Sequence, residues 1–245
     1  MIAKRIHYCW FGRGKMPYSI RKCIESWIKY LPDYELILWN ENNFDLNSNQ
    51  YIKEAYDSKK FAFVTDYVRL YALYEHGGVY MDTDVEVVKS LDSFLIHSAF
   101  IGCENEFMLG TSIMASEAKH QWIKRLLDDY QNKRFILPDG SYDMTANTFV
   151  ITNITTDEFG WIPQNTYQKL KEDLHIYPFD YFCAKSYEDG KIYMTKNTHT
   201  IHHFSSSWFS KKAKVTQNLK RIFGPNITAK IIATKKRFRK RFLKE

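Results

Sequence analysis

The sequence predicts an α/β fold built on a mostly parallel or mixed sheet. Short β-branched and aromatic runs alternate with longer stretches of helical apolar spacing, and glycine or proline falls between them. The composition suits a packed core: 245 residues, 44% hydrophobic and 26% charged, with only 10 Gly and 6 Pro. Those values exclude a disordered, collagen-like or low-complexity chain.

The first run, AKRIHYCWF, reads as a buried strand that ends at Gly12 and Gly14. Pro17 opens a helix reaching Tyr30, with Ile20, Cys23, Ile24, Trp27 and Ile28 on one side. Pro32 and Asp33 mark a turn before a second strand, YELILWN. The clearest helix spans Phe61 to Glu75, with Val64, Tyr67, Val68, Tyr71 and Ala72 as its stripe, and Gly77 and Gly78 stop it. VYMDTDVEVV then reads as strand, turn, strand. Ala99 to Gly102 and Thr111 to Met114 are further strands, and Lys119 to Tyr130 a further helix.

At roughly 150 residues per domain, the chain holds one large domain or two small ones. No internal repeat or Pro/Gly/Ser-rich linker divides it, but charge does. Residues 211–245 carry 13 Lys+Arg against one acid, whereas residues 1–210 carry 22 Lys+Arg against 27 Asp+Glu. The division is therefore one α/β domain over 1–210 and a basic tail over 211–245. In the tail, Ile227, Ile231, Phe238 and Phe242 form an apolar stripe beside Lys235, Lys236, Arg237, Arg239, Lys240 and Arg241. This is the pattern of an amphipathic helix on an anionic membrane surface, where each basic residue contributes about 1 kcal/mol. A solvated helix and a nucleic-acid contact are the alternatives. No nucleic-acid motif occurs, so no nucleic-acid partner is expected. No apolar run reaches the roughly 18 residues of a spanning helix, and the N-terminus lacks the apolar segment of a secretory signal. The four cysteines form no short framework, so the expected setting is the cytoplasm.

Asp82 and Asp84 stand two apart at the end of a strand that otherwise wants burial. In extended chain they would point the same way about 6.6 Å apart and repel by roughly 2.5 kcal/mol at an effective dielectric near 20. A divalent cation offsets that, and oxygen ligands suit Mn2+ or Mg2+. Asp66 and Arg69, three apart on the preceding helix, are neighbours on one face.

The block TDYVRLYALYEHGGVYMDTD resembles the signature of glycosyltransferase family 32, the DXD sugar-binding region of bacterial capsule and lipopolysaccharide transferases, and is similar to the glucosyltransferase domain of large clostridial toxins. IHYCWFG near the N-terminus and HHFSSSW further on extend the resemblance over residues 6–208. It implies a GT-A fold holding a UDP-sugar with Mn2+ or Mg2+, and a retaining hexosyl transfer to a glycan or lipid-linked oligosaccharide in bacterial surface-polysaccharide synthesis. Trp10 would stack on the base, with Tyr8, Phe61 and Tyr80 lining the nucleotide side. Asp66 and Arg69 would hold the sugar and offset phosphate charge. Asp84 would ligate the metal directly, with Asp82 on ribose and metal-bound water. His203 and Ser206 would complete the metal site and Trp208 would donate to the departing phosphate. Neighbours in extended chain point oppositely, so whether His202 or His203 meets the metal stays open. Glu104 and Asn105 are candidates for the reacting sugar, and Asp143 and Asn147 weaker ones for the acceptor. The basic tail would hold the enzyme at the inner face of the plasma membrane. Two competing readings are a sugar nucleotidyltransferase, for which GRGK is a meagre phosphate loop, and a non-catalytic nucleotide-sugar or membrane adaptor.

Overall fold

The computed structural model describes residues 1–205. In chain order the elements are β1 (Arg5–Cys9), α1 (Tyr18–Tyr30), β2 (Glu35–Trp39), α2 (Gln50–Asp57), α3 (Phe61–His76), β3 (Gly78–Met81), β4 (Val85–Val87), β5 (Ala99–Asn105), β6 (Met108–Ser116), α4 (Gln121–Asp128), α5 (Asn147–Ile154), β7 (Gln168–Lys169), β8 (Leu174–Tyr177), α6 (Phe179–Phe182) and β9 (Thr200–His202). Seven strands make one mixed sheet in the order β2-β1-β3-β6-β5-β8-β7, and β4 with β9 makes a separate two-stranded ribbon. β1 runs parallel to β2 and β3, β6 is antiparallel to β3 and β5, and β8 is parallel to β5. The predicted α/β class with a mixed sheet is the observed architecture.

Alternation along the strands sends side chains into two cores. Tyr80, Ile101 and Met114 face a layer built from α2, α3, α4 and α5, whereas Val79, Met81, Phe100 and Ile113 face Trp27 of α1. The sheet is covered on both sides, which explains why β3, GVYM, is buried at every position.

α3 differs from its expected single stripe. Phe63, Leu70 and Leu73 are buried along with Val64, Val68 and Ala72, because the helix is wedged between the sheet and its neighbouring helices. α1 keeps Ile20, Cys23 and Trp27 inside but leaves Ile28 59% exposed, so its apolar side is narrower than the spacing implied. α4 starts at Gln121 rather than Lys119, since Lys119 is left-handed (φ 61°) and the His120 ring caps the helix by accepting from Trp122 N. β5 and β6 extend well past their predicted ends and meet in a hairpin. α2, α5 and β8 were not anticipated. The expected helices of the tail, residues 211–245, lie outside the described residues.

One buried histidine ties β1 to its neighbours. His7 is fully buried, and its Nδ1 accepts from Trp39 Nε1 at 3.1 Å. Nε2 therefore carries the proton and donates to the Gly77 carbonyl at 2.8 Å. Both nitrogens are satisfied only in the neutral ring. Burial, despite the Gly77 bond, pushes the pKa down to about 4, with His76 and Arg5 adding to the fall. A folded pKa below the unfolded value means the stability is present above about pH 6.5 and is lost as pH falls towards 4. Asp66, pushed up to about 6 by burial, has the opposite slope, so total stability hides the effect. The difference in urea-unfolding stability between wild type and His7→Gln is therefore the measurement. It should shrink by roughly 2 kcal/mol between pH 7 and pH 5; a constant difference contradicts the assignment.

Candidate active site

The site lies where β1, β3 and β5 end, the edge at which open α/β sheets commonly bind ligands. α3 stops against a double glycine whose geometry is specific. Gly77 has φ +62° and a Cβ there would sit 2.7 Å from Ala118 N; at Gly78 one would sit 2.9 Å from Arg5 O. Only glycines let the helix end and β3 begin this close to the flanking strands.

Asp82 and Asp84 do not continue the strand as the extended spacing supposed. Asp82 N donates to Ser112 O, and Val85 N returns to Asp82 O at 3.0 Å, so the two aspartates form a turn between β3 and β4. The turn carries Asp84 into the β4–β9 ribbon, where Val85 pairs with His202. One ligand atom from each of Asp82, Asp84 and His202 lies within 4.8 Å of the others. His202 Nε2 is 3.4 Å from Asp84 Oδ1.

This register decides between the two histidines. His202 faces Asp84, whereas His203 turns to the other side, its Nε2 2.8 Å from Glu86 Oε2. His203 reaches Asp84 only through its backbone N–H, at 3.0 Å from Asp84 O. The expectation that His203 is the metal-side histidine is thus corrected: period-two alternation places its neighbour there. Ser205 N donates to Asp84 Oδ2 at 2.7 Å. Ser206 and Trp208 lie outside the described residues.

Arg69 joins the acidic residues. Its Nη2 is 2.9 Å from Asp66 Oδ1 and 3.6 Å from Asp82 Oδ1, and its Nη1 donates to the Thr111 carbonyl at 2.6 Å. The guanidinium stacks 4.7 Å from the centre of the Tyr80 ring, whose hydroxyl donates to Asp82 Oδ1 at 2.7 Å. Arg69 Nε is buried without a hydrogen-bond partner, as is Nδ1 of His202. Burial pushes the Asp82 carboxyl upward against the pull of Arg69. Burial would raise Asp84 too, but His202 and the Ser205 bonds overturn that and hold it well below the usual carboxylate range. His202 is shifted upward by Asp84 in spite of its burial.

The other predicted residues divide. Glu104, at the end of β5, is half-buried and has His202 and Asp82 as electrostatic neighbours; burial raises its pKa. Asn105 is exposed and its side chain accepts from Phe107 N, the hydrogen bond of a hairpin turn. Trp10 is half-buried with its N–H donated to Gly14 O at 2.6 Å, which holds the ring while leaving its faces unengaged by that bond. Phe61 lies on Gly12 so closely that a Cβ there would meet the ring at 2.3 Å. Tyr8 packs edge-on against Trp27, on the side of α1. Asp143 is paired with Lys133 at 3.7 Å. Asn147 opens α5 against Thr111, Oδ1 to Oγ1 at 3.4 Å, with its Nδ2 buried and unpartnered. The Thr111 carbonyl, which anchors Arg69, had no sequence signal because any residue supplies one.

The donor set fits a divalent cation. Two carboxylates and an imidazole converge, and Asp84 and His202 are each largely buried. Residues 17–101 match the family described as "Glycosyltransferase sugar-binding region containing DXD motif". The chain is similar to inositol phosphoceramide mannosyltransferase 2 of Schizosaccharomyces pombe, at 26% identity over 88% of this chain and 60% of that one. It is also similar to mannosyl phosphorylinositol ceramide synthase SUR1 of Saccharomyces cerevisiae, at 27% identity over 69% and 48%. The chain thus spans 60% or less of the length of these two relatives. Among solved structures, PaToxG glycosyltransferase shares 18% identity over 64% of this chain and 69% of that one, with a TM-score of 0.49.

Titration calorimetry with Mn2+ should separate the two histidines. His202→Gln is expected to weaken binding at least tenfold, and His203→Gln to leave it within about threefold; the reverse order overturns the placement.

Proposed function

We propose that the chain is a metal-dependent glycosyltransferase of GT-A architecture that moves a hexose from a nucleoside-diphosphate sugar to a glycan or lipid-linked acceptor. The observation carrying this reading is the meeting of Asp82, Asp84 and His202 beside Arg69, inside the segment matching the DXD family. A sugar nucleotidyltransferase would want a glycine-rich phosphate loop, for which GRGK is meagre, and a decayed adaptor would have lost metal or sugar residues, whereas Asp66, Arg69, Asp82 and Asp84 are all present.

Asp84, His202 and Asp82 would hold Mn2+ or Mg2+, which supplies positive charge to the diphosphate as it leaves. The protein's own groups would do the rest. Arg69 presents a cation that stays protonated, and Asp66 fixes its fork so that little reorganisation accompanies the reaction. Asp66 would in turn accept from a sugar hydroxyl. Trp10 and Phe61 would flank the base through stacking, which needs a flat apolar face rather than a hydrogen-bond pattern. Glu104, with His202 and Asp82 as electrostatic neighbours, would face the reacting sugar or acceptor. Ser206 and Trp208 would close the metal and phosphate side, while Tyr80, buried beneath Arg69, would support Asp82 through its hydroxyl.

A uridine nucleotide and retention of anomeric configuration are supported by the sequence resemblance. Mannose is the second reading for the sugar, supported by the names of the yeast relatives, which also favour an acceptor carried on a lipid. Surface-polysaccharide synthesis at the cytoplasmic membrane face is the setting the resemblance favours. No helix among the described residues is long and apolar enough to cross a membrane. The basic tail, 211–245, supplies the membrane contact in this proposal, as a unit separate from the domain over 1–210.

Donor hydrolysis with Mn2+, screened over UDP-glucose, UDP-galactose, their N-acetyl forms and GDP-mannose, should find one donor turned over. Asp84→Asn should lower that rate at least 100-fold with an unchanged circular dichroism spectrum. No turnover of any donor by folded protein, or retained activity in the variant, removes the reading. A second measurement concerns the tail: deleting residues 225–245 should weaken binding to phosphatidylserine vesicles at least tenfold and leave donor hydrolysis unchanged. Equal vesicle binding dismisses the membrane role.

A further inference from the structure

A protruding arm beside the aspartate turn buries neither of its faces. The chain from Ala184 to Tyr193 folds back on itself: Tyr193 N donates to Ala184 O at 2.6 Å, Ser186 N donates to Lys191 O at 2.9 Å, and Lys185 pairs with Ile192 as a bridge. An extended leg ordinarily alternates between a covered side and a solvated one. Here all six residues of KIYMTK, 191–196, are exposed, with Ile192 at 46%, Tyr193 at 46% and Met194 at 57%. Three consecutive exposed apolar side chains are a fault in a protein surface unless they serve a contact.

We propose that this arm is a membrane-contact element that rests Ile192, Tyr193 and Met194 at the headgroup boundary of an anionic bilayer, with Lys191 and Lys196 on either side. The composition is that of an interfacial segment. Ile192 and Met194 suit the acyl boundary, Tyr193 has an apolar ring and a polar tip, and the flanking lysines suit anionic lipid. Residues 184–196 hold three lysines against two acids, in a domain whose residues 1–210 hold 22 Lys+Arg against 27 Asp+Glu. The arm is locally braced rather than packed. Asp189 Oδ1 accepts from Lys191 N at 2.9 Å and its Oδ2 from the Tyr193 hydroxyl at 2.7 Å, and the Thr195 hydroxyl donates to Asp180 at 2.7 Å.

The position of the arm favours lipid. Lys185 Nζ donates to the His203 carbonyl at 3.1 Å. The Tyr187 ring packs edge-on against Phe204 at 5.3 Å, and Phe204 lies 4.0 Å from the His202 ring. The arm is thus rooted on the segment that carries His202. The basic sequence 211–245 begins within six residues of Ser205, no more than about 20 Å of chain. A surface on which those basic residues rest is therefore within reach of the arm, and an anionic leaflet attracts both. The purpose of the contact, bringing the aspartate cluster to a lipid-borne acceptor, rests on the function proposed above; the contact itself does not.

The four native cysteines are buried, so Met194→Cys in the full chain takes an environment-sensitive NBD label selectively. On mixed phosphatidylcholine and phosphatidylserine vesicles its emission should rise at least twofold and shift to the blue. A label at Asp33→Cys, exposed where β2 begins, should not change. Ile192→Glu combined with Met194→Glu in the unlabelled full chain should weaken vesicle binding at least fivefold and leave donor hydrolysis in solution within twofold. No response of the Met194→Cys label overturns the proposal, as does unchanged vesicle binding in the folded double variant. A shift that grows with protein concentration and needs no vesicles marks contact between copies, and overturns it too. If tail deletion releases the protein while the label stays in water, the tail reading stands and the arm falls. A label that enters lipid on a protein that turns over no donor leaves the arm standing and removes the glycosyl reading.

Discussion

The fold carries a concentration of negative charge that it must offset, and Arg69 is the group on which that depends. Asp66 and Asp84 are buried and Asp82 is largely so, within one sheet end. Two carboxylates within about 5 Å repel by roughly 3 kcal/mol at an effective dielectric near 20. Arg69 touches two of them, and its third bond, to the Thr111 carbonyl, fixes the guanidinium against β6. Lysine could not reproduce this, since one ammonium cannot present a planar fork to two carboxylates while stacking on Tyr80. Asp84 lies beyond the arginine's reach and is paired with His202 instead. The acidic residues are thus divided between a guanidinium that stays charged and an imidazole whose charge is exchangeable.

That division explains the order of the chain. Asp66, Arg69, Asp82 and Asp84 fall within 19 residues, so their meeting needs only one helix, one glycine turn and one short strand. His202 arrives from more than a hundred residues later and depends on β9 pairing with β4. The ribbon in turn leans on α1, where Trp27 Nε1 donates to Val85 O at 2.7 Å and the Ser26 hydroxyl accepts from Val87 N at 2.9 Å. A helix on the far face from α3 therefore sets the position of His202. Local sequence builds the permanent charge pair, and long-range pairing builds the exchangeable one.

Legibility in the sequence follows the same boundary. β1, α1, β2, α3 and β3 were readable because glycine or proline borders each run. The aspartate pair and its arginine were readable because their spacing is local. α2 and α5, each eight residues long, escaped, although α4 of the same length was readable. β8, LHIY, is too short for a period to establish itself. The choice between His202 and His203 was not legible at all. Register fixes which neighbour turns inward, and register belongs to the partner strand as much as to the strand itself. Glu104 has His202 and Asp82 as electrostatic neighbours, whereas Asn105, next to it in sequence, serves the hairpin turn.

The sheet has two chemically different ends, and strand direction accounts for both. Parallel strands leave a crevice beyond their C-terminal ends, where successive connections separate, and the acidic cluster sits there. β6, the inverted strand, closes that crevice from within, since its carbonyls at Thr111 and Ser112 meet Arg69 and Asp82 directly. At the other end, β8 and the two-residue β7 form an edge with little pairing of its own. A short edge strand is held weakly by its ladder. Side-chain links across the strand starts, Ser98 to Asp173 and Tyr177 to His97, supply what the ladder lacks. The end that carries the acidic cluster keeps charges apart and exchangeable; the end that anchors the edge draws polar groups together and fixes them. One sheet meets both demands because its strand ends face opposite ways.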